Sequence, residues 1–149
     1  MSLVICAVII ICTGFNQAAY SAEQEPWSNG TTILEYCTLA ADMLKSDWIE
    51  NFIKEPRPLP SKVQQHKAMQ CLCYVIGFKD ALYVNQIYQE KNGKHSPICI
   101  PDNNIANDKA LRVVLKYLSN NPQLLDRPGS VLLFSAFFYA FPYRESTNK

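Results

Sequence analysis

The side chains with most chemistry to offer are the thiols of Cys37, Cys71, Cys73 and Cys99, the imidazoles of His66 and His95, and the carboxyl of Asp80. Thiols act as disulfide halves, metal ligands or nucleophiles. A zinc site completed by His66 or His95 lacks the short Cys-x-x-Cys hairpin that usually presents two ligands together. Cys71 and Cys73 also diverge by about 200° around a helix, so they do not converge on one ion. A Cys–His nucleophile pair needs a thiolate, which oxidation removes. Asp80 shares a helical stripe with Ile76, Tyr83 and Ile87, as either a buried acid with hydrogen-bond partners or a residue at the edge of the apolar zone. Catalysis by it would call for a companion acid, base or metal, and no such companion stands at helical spacing. The sequence also has no phosphate-binding glycine loop, Gly-x-Ser-x-Gly elbow or His-Glu-x-x-His helix. These patterns point away from an enzyme and call for no cofactor or metal.

What becomes of the thiols depends on the compartment. The first 22 residues carry no charged side chain, and Leu3 to Cys12 is nearly pure Leu, Val, Ile, Cys and Ala. That is the length and composition of a signal-peptide hydrophobic region, although no Lys or Arg precedes it. Ala19, Tyr20 and Ser21 supply the small residues of a cleavage site, with Ala22 as a near alternative, before polar Glu23 and Gln24. A retained membrane anchor needs about 20 apolar residues, more than this run provides. Residues 1–22 are therefore expected as a cleaved leader and 23–149 as one exported domain, free of the membrane after cleavage.

Cleavage leaves an even set of four cysteines in an oxidising compartment, where paired thiols become disulfides worth about 3 kcal/mol each. Because Cys71 and Cys73 cannot readily join each other, their partners are Cys37 and Cys99. The preferred pairing is Cys37–Cys71 with Cys73–Cys99; the crossed pairing stays open.

The elements that must position these residues read as helices. With 149 residues, 48% of them hydrophobic, the chain suffices for one domain with one core. Fourteen Lys and Arg against 13 Asp and Glu leave a formal charge of +1, no field to gather nucleic acid. Thr32 and Glu35 stand at capping-box spacing before Ile33, Cys37, Ala40, Ala41, Leu44 and Trp48, which form one apolar face. Pro56, Pro58 and Pro60 favour a stiff extended connector. A longer helix runs from Ser61 to about Gln89, with Met69, Leu72, Cys73, Ile76, Tyr83 and Ile87 on one stripe and Ala68, Cys71, Val75, Phe78 and Leu82 on its neighbour. Gly77 in its middle costs about 1 kcal/mol relative to Ala, which makes sense where another helix crosses closely.

Glu90 to Asn104 reads as a loop, with Asp102 or Asn103 capping the next helix on Leu111, Val114, Leu115 and Leu118. Asn120, Asn121 and Pro122 end that helix, and a last one starts near Pro128. Its segment Val131 to Phe141 is apolar except Ser135, a density that implies complete burial or contact with another subunit. At about 16 Å it is half the length of a membrane span. The fold expected is all-α, a compact bundle of four to five helices stabilised by disulfides.

Four pieces of sequence in this order resemble a known family: Cys71-Leu-Cys73-Tyr-Val-Ile-Gly77-Phe-Lys-Asp80, Cys99-Ile-Pro101, Val113-Val-Leu-Lys-Tyr117-Leu-Ser-Asn-Asn-Pro122 and Ala140-Phe-Pro142. The set is similar to the Rap/Tai immunity family over roughly Gly30 to Tyr143. Its members are periplasmic helical homodimers that neutralise peptidoglycan-cleaving amidases delivered by type VI secretion, by occupying the amidase cleft. The resemblance implies the same role here, with Gly77, Asp80, Pro101, Tyr117, Pro122 and Pro142 as structural motif residues. Two departures stand out. The family usually has Gly where Cys73 stands, and it commonly ends Phe-Pro-Cys where this chain has Phe141-Pro-Tyr143, so Cys73 would give Cys99 a replacement partner.

Inhibition by occupying a cleft needs a rigid scaffold and a protruding polar loop rather than a reactive group. Lys91, Asn92, Gly93, Lys94, His95 and Ser96 are the candidate loop; its plain reading is a solvated connector. The competing functions are a small helical, disulfide-bonded periplasmic stress chaperone, or a disulfide-stabilised hydrolase using Asp80.

Overall fold

The structure, a computed structural model, describes residues 29–45, 59–101 and 105–143. The expected leader, Trp48, Pro56, Pro58, Asp102 and Asn103 lie outside the described residues. Four α-helices follow one another: α1 (Gly30–Met43), α2 (Lys62–Lys91), α3 (Asn107–Asn120) and α4 (Gly129–Ala140), with a 3-10 turn at Pro122–Leu124. Among the described residues there is no strand, and the all-α bundle is as expected. No described helix is long and apolar enough to cross a membrane.

Helix boundaries follow local chemistry. Asn29, not Thr32, caps α1: its Oδ1 accepts from the Thr32 N–H at 3.0 Å, so the helix begins a turn earlier than the Thr32–Glu35 pattern suggests. At α2, Ser61 Oγ accepts from the Gln64 N–H while Gln64 Oε1 accepts from the Ser61 N–H, a reciprocal capping box after Pro60. α3 begins at Asn107 after Ala106, with no side-chain cap. α4 follows Pro128.

α1 lies along α2, and α3 touches the other three helices. Ile33, Cys37, Ala40, Val75, Leu111, Val114, Leu118, Leu132, Leu133 and Phe137 form the buried centre, joined by Ile98 and Ile100 from the α2–α3 connection. Each large aliphatic or aromatic side chain removed from water there contributes roughly 1.5–3 kcal/mol. The Cys37–Cys71 disulfide staples α1 to α2 inside this core, across 34 positions. At the rim, Lys67 reaches Glu35 at 2.8 Å and lies 4.9 Å from the centre of the Tyr36 ring.

Several expectations need correction. The face of α2 turned to the core carries Ala68, Cys71, Val75, Lys79 and Gln86, whereas Met69 and Cys73, on the other apolar stripe, are exposed. Cys73 and Cys99 are not joined but stand as free thiols. Ile100, next to Cys99, is bonded to Gln86, which lies 13 positions beyond Cys73, about 20 Å along the helix. Gly77 is exposed, and no neighbouring group lies within 4 Å of the place a Cβ would take, so no described helix crosses there. The tight approach is instead at Gly30, where a Cβ would meet Leu132 and the Leu125 backbone. Of the two readings of α4 only complete burial fails: the helix is buried on one side, through Leu132, Leu133, Ala136 and Phe137, while Val131, Phe134, Phe138 and Tyr139 face outward.

Candidate partner-binding site

The end of α2 builds an exposed tip. Lys91 is its last helical residue, and the chain reverses through Asn92 and Gly93, whose φ of +67° suits glycine. The N–H groups of Gly93 and Lys94 donate to the carbonyls of Glu90 (3.0 Å) and Gln89 (2.9 Å), and Asn92 Nδ2 donates to the Tyr88 carbonyl at 2.7 Å. These bonds satisfy the last carbonyls of the helix and fix the turn. Lys91, Asn92, Gly93, Lys94 and His95 are exposed, whereas Ser96 is buried and its Oγ accepts from the Ile98 N–H at 3.3 Å. Five of the six candidate residues therefore stand at the surface and Ser96 belongs to the root.

The root is held from two sides. Buried Gln86 accepts from the Ile100 N–H through Oε1 at 2.7 Å and donates through Nε2 to Glu90 at 3.1 Å. The segment after α4 closes the other side: Ile98 and Pro142 form an antiparallel bridge, the Cys99 N–H donates to the Phe141 carbonyl (2.9 Å), and the Tyr143 N–H donates to the Pro97 carbonyl (3.2 Å). The His95 and Tyr143 rings stack with centroids 4.6 Å apart. Cys99 sits half-buried beneath; burial, with the negative charge of Glu90 second, pushes its thiol above the usual cysteine range.

Other singled-out residues lie elsewhere. Asp80 is exposed, so of the two expected environments it takes the edge, and it pairs at 3.2 Å with Lys79. Lys79 is only 3% exposed and also reaches Asn107 Oδ1 at 3.0 Å and the Ile105 carbonyl at 3.4 Å, securing the entry to α3. Sequence reading missed Lys79 and Gln86; their signal was their position on the stripe of Ala68, Cys71, Val75 and Leu82. His66 and His95 are both exposed and flank opposite ends of α2. Among the described residues, no three His, Cys, Asp or Glu side chains stand close enough together to hold a metal ion.

Three of the four motif pieces gather in two places, while Cys71 to Asp80 runs along α2. Cys99-Ile-Pro101 meets Phe141-Pro142 at the tip root, with Pro101 exposed. The piece from Val113 to Pro122 lines a groove of about 310 Å³ between α3 and α4, bounded by Val113, Lys116, Tyr117, Asn120, Tyr139 and Ala140. Tyr117 stacks on Tyr139 at 5.8 Å, and Pro122 opens the 3-10 turn beside Asn121, whose Nδ2 donates to the Tyr117 carbonyl at 2.8 Å.

No curated protein and no solved structure matches the chain. The family model of the Rap1a immunity proteins matches residues 29–143, from the cap of α1 to the tyrosine that closes the tip root. With all four helices and both motif clusters inside that match, the chain belongs to the Rap1a immunity protein family.

Proposed function

We propose that the chain is a periplasmic immunity protein that binds and inhibits a peptidoglycan amidase delivered by type VI secretion, blocking its active-site cleft. The observation that carries this reading is the family match over residues 29–143. A disulfide-stapled core with an exposed polar turn also suits inhibition by occupancy. In this reading residues 1–22 are a leader removed on export, residues 23–149 are the working domain, and Lys91 to Ser96 enter the partner's cleft. The protein acts as a homodimer and performs no chemistry of its own.

The test is co-expression in the periplasm with candidate amidases encoded beside its gene. Rescue from lysis by the chain, together with tight binding of the purified amidase near neutral pH, is the expected result. Binding to none of them, with suppression of client aggregation at acid pH, would instead favour a stress chaperone.

A further inference from the structure

The tip and the residues around it offer a more specific inference. Lys91 and Lys94 are its only formal charges between residues 91 and 96, and both are exposed. Glu90 precedes them, with one carboxylate oxygen engaged by Gln86. The surface offered is therefore two ammonium groups, the Asn92 carboxamide and an imidazole, on a turn whose backbone is already bonded. A preset turn loses less entropy on binding than a floppy one. Its charge selects a partner of opposite sign.

What presets the outer half of the turn is Tyr143. Helix bonds fix residues 92–94, and Ser96 fixes the start of the root, but His95 is exposed between them. The Tyr143 ring, stacked at 4.6 Å, is the contact that orients the imidazole, and the Tyr143 N–H anchors the neighbouring Pro97 carbonyl at 3.2 Å. We propose that the Lys91–Ser96 turn is a preset cationic probe for an acidic cleft on a partner protein, and that Tyr143 is the positioning residue that presets it. The proposal rests on the immunity reading.

The experiment has two readouts. In the free protein, amide hydrogen exchange of Ile98 and Cys99 reports the clasp. Affinity for a catalytically inactive form of the neighbouring amidase, measured by calorimetry, reports its use. Tyr143→Ala should speed exchange at these amides and weaken binding about 2- to 10-fold, the worth of one aromatic stack. Tyr143→Phe, which keeps the ring, should restore both. Lys91→Glu combined with Lys94→Glu should weaken binding by more than Tyr143→Ala does and flatten its salt dependence, while leaving exchange unchanged.

Unchanged exchange and affinity in Tyr143→Ala would overturn the positioning role, and undiminished binding by the double lysine variant would overturn the acidic partner. Should wild-type protein bind no amidase, the immunity reading and the probe fail together. The clasp would still stand or fall on exchange in the free chain.

Discussion

Cys73 and Cys99 are both free thiols, yet a reagent meets them differently. Cys73 lies on the outer face of α2, whereas Cys99 is half-buried, its thiol pushed up by burial and then by Glu90. Since the thiolate is the reactive form, a raised value means less thiolate at any given pH below it, and reactivity that climbs only at higher pH. Iodoacetamide should modify Cys73 well before Cys99 at pH 7.5, with the gap narrowing as pH rises; peptide mass spectrometry reads both rates. Cys37 and Cys71 should label only after reduction. Finding Cys73 and Cys99 cross-linked within one native chain would contradict the arrangement. Lys79 gives the second prediction at this scale. Lys79→Met keeps the length but strips Asn107 Oδ1 and Asp80 of a charged partner, so stability should drop by about 1–3 kcal/mol in urea unfolding. Legibility at this scale was uneven. Asp80 drew attention because it interrupts an apolar stretch, but the residue taken into the interior is its neighbour Lys79, whose partners at residues 105 and 107 no local pattern reveals.

At the scale of elements, the staple and the helix crossings matter most. Cys37 and Cys71 tie α1 to α2 across 34 positions, a loop whose closure restricts the unfolded chain by about 3–4 kcal/mol in the chain-entropy account. Cys37→Ala with Cys71→Ala should lower the denaturation midpoint accordingly, whereas reduction should leave the wild-type close to the same reduced stability. Glycines provide a sharper contrast. Gly30→Ala drives a methyl into Leu132 and within 3.0 Å of the Leu125 Cα, so overpacking should destabilise by roughly 1–3 kcal/mol. Gly77→Ala meets open space on an exposed helical turn and should stabilise by up to about 1 kcal/mol. Thermal melts of the two variants should shift in opposite directions. The sequence marked Gly77 as the crossing point because a glycine in mid-helix is costly; it could not mark Gly30, whose neighbours come from more than 90 positions away. Ser61 and Pro128 announced α2 and α4 because those helices start on local chemistry. α3 lacks a side-chain cap and is secured at its entry by Lys79, so its start at Asn107 was not announced.

For the molecule as a whole, the apolar density of Val131 to Phe141 was legible, but composition alone left burial and subunit contact both open. The structure spends half of it: Leu132, Leu133, Ala136 and Phe137 fill the core, while Val131, Phe134, Phe138 and Tyr139 remain 40–73% exposed. Phe134 and Phe138 stack on each other at 6.3 Å, and Phe138 meets Tyr139 edge to face, so the exposed side is a continuous aromatic surface. In the homodimer proposed above, removing this surface from water would be favourable, and a two-fold contact would bury it on both subunits at once. Placing carboxylates there makes that burial unfavourable without touching the core. Phe134→Glu with Phe138→Glu should therefore give a monomer by analytical ultracentrifugation at concentrations where wild-type sediments as a dimer, with helical circular dichroism unchanged. A variant that stays dimeric would move the interface elsewhere, and wild-type sedimenting as a monomer would remove the homodimer from the proposed function. Because the segment that closes the tip root follows α4 directly, the monomeric variant separates the two roles when its Cys99 amide exchange stays as slow as in wild-type: if inhibition then needs only the tip, amidase binding should survive the loss of the dimer.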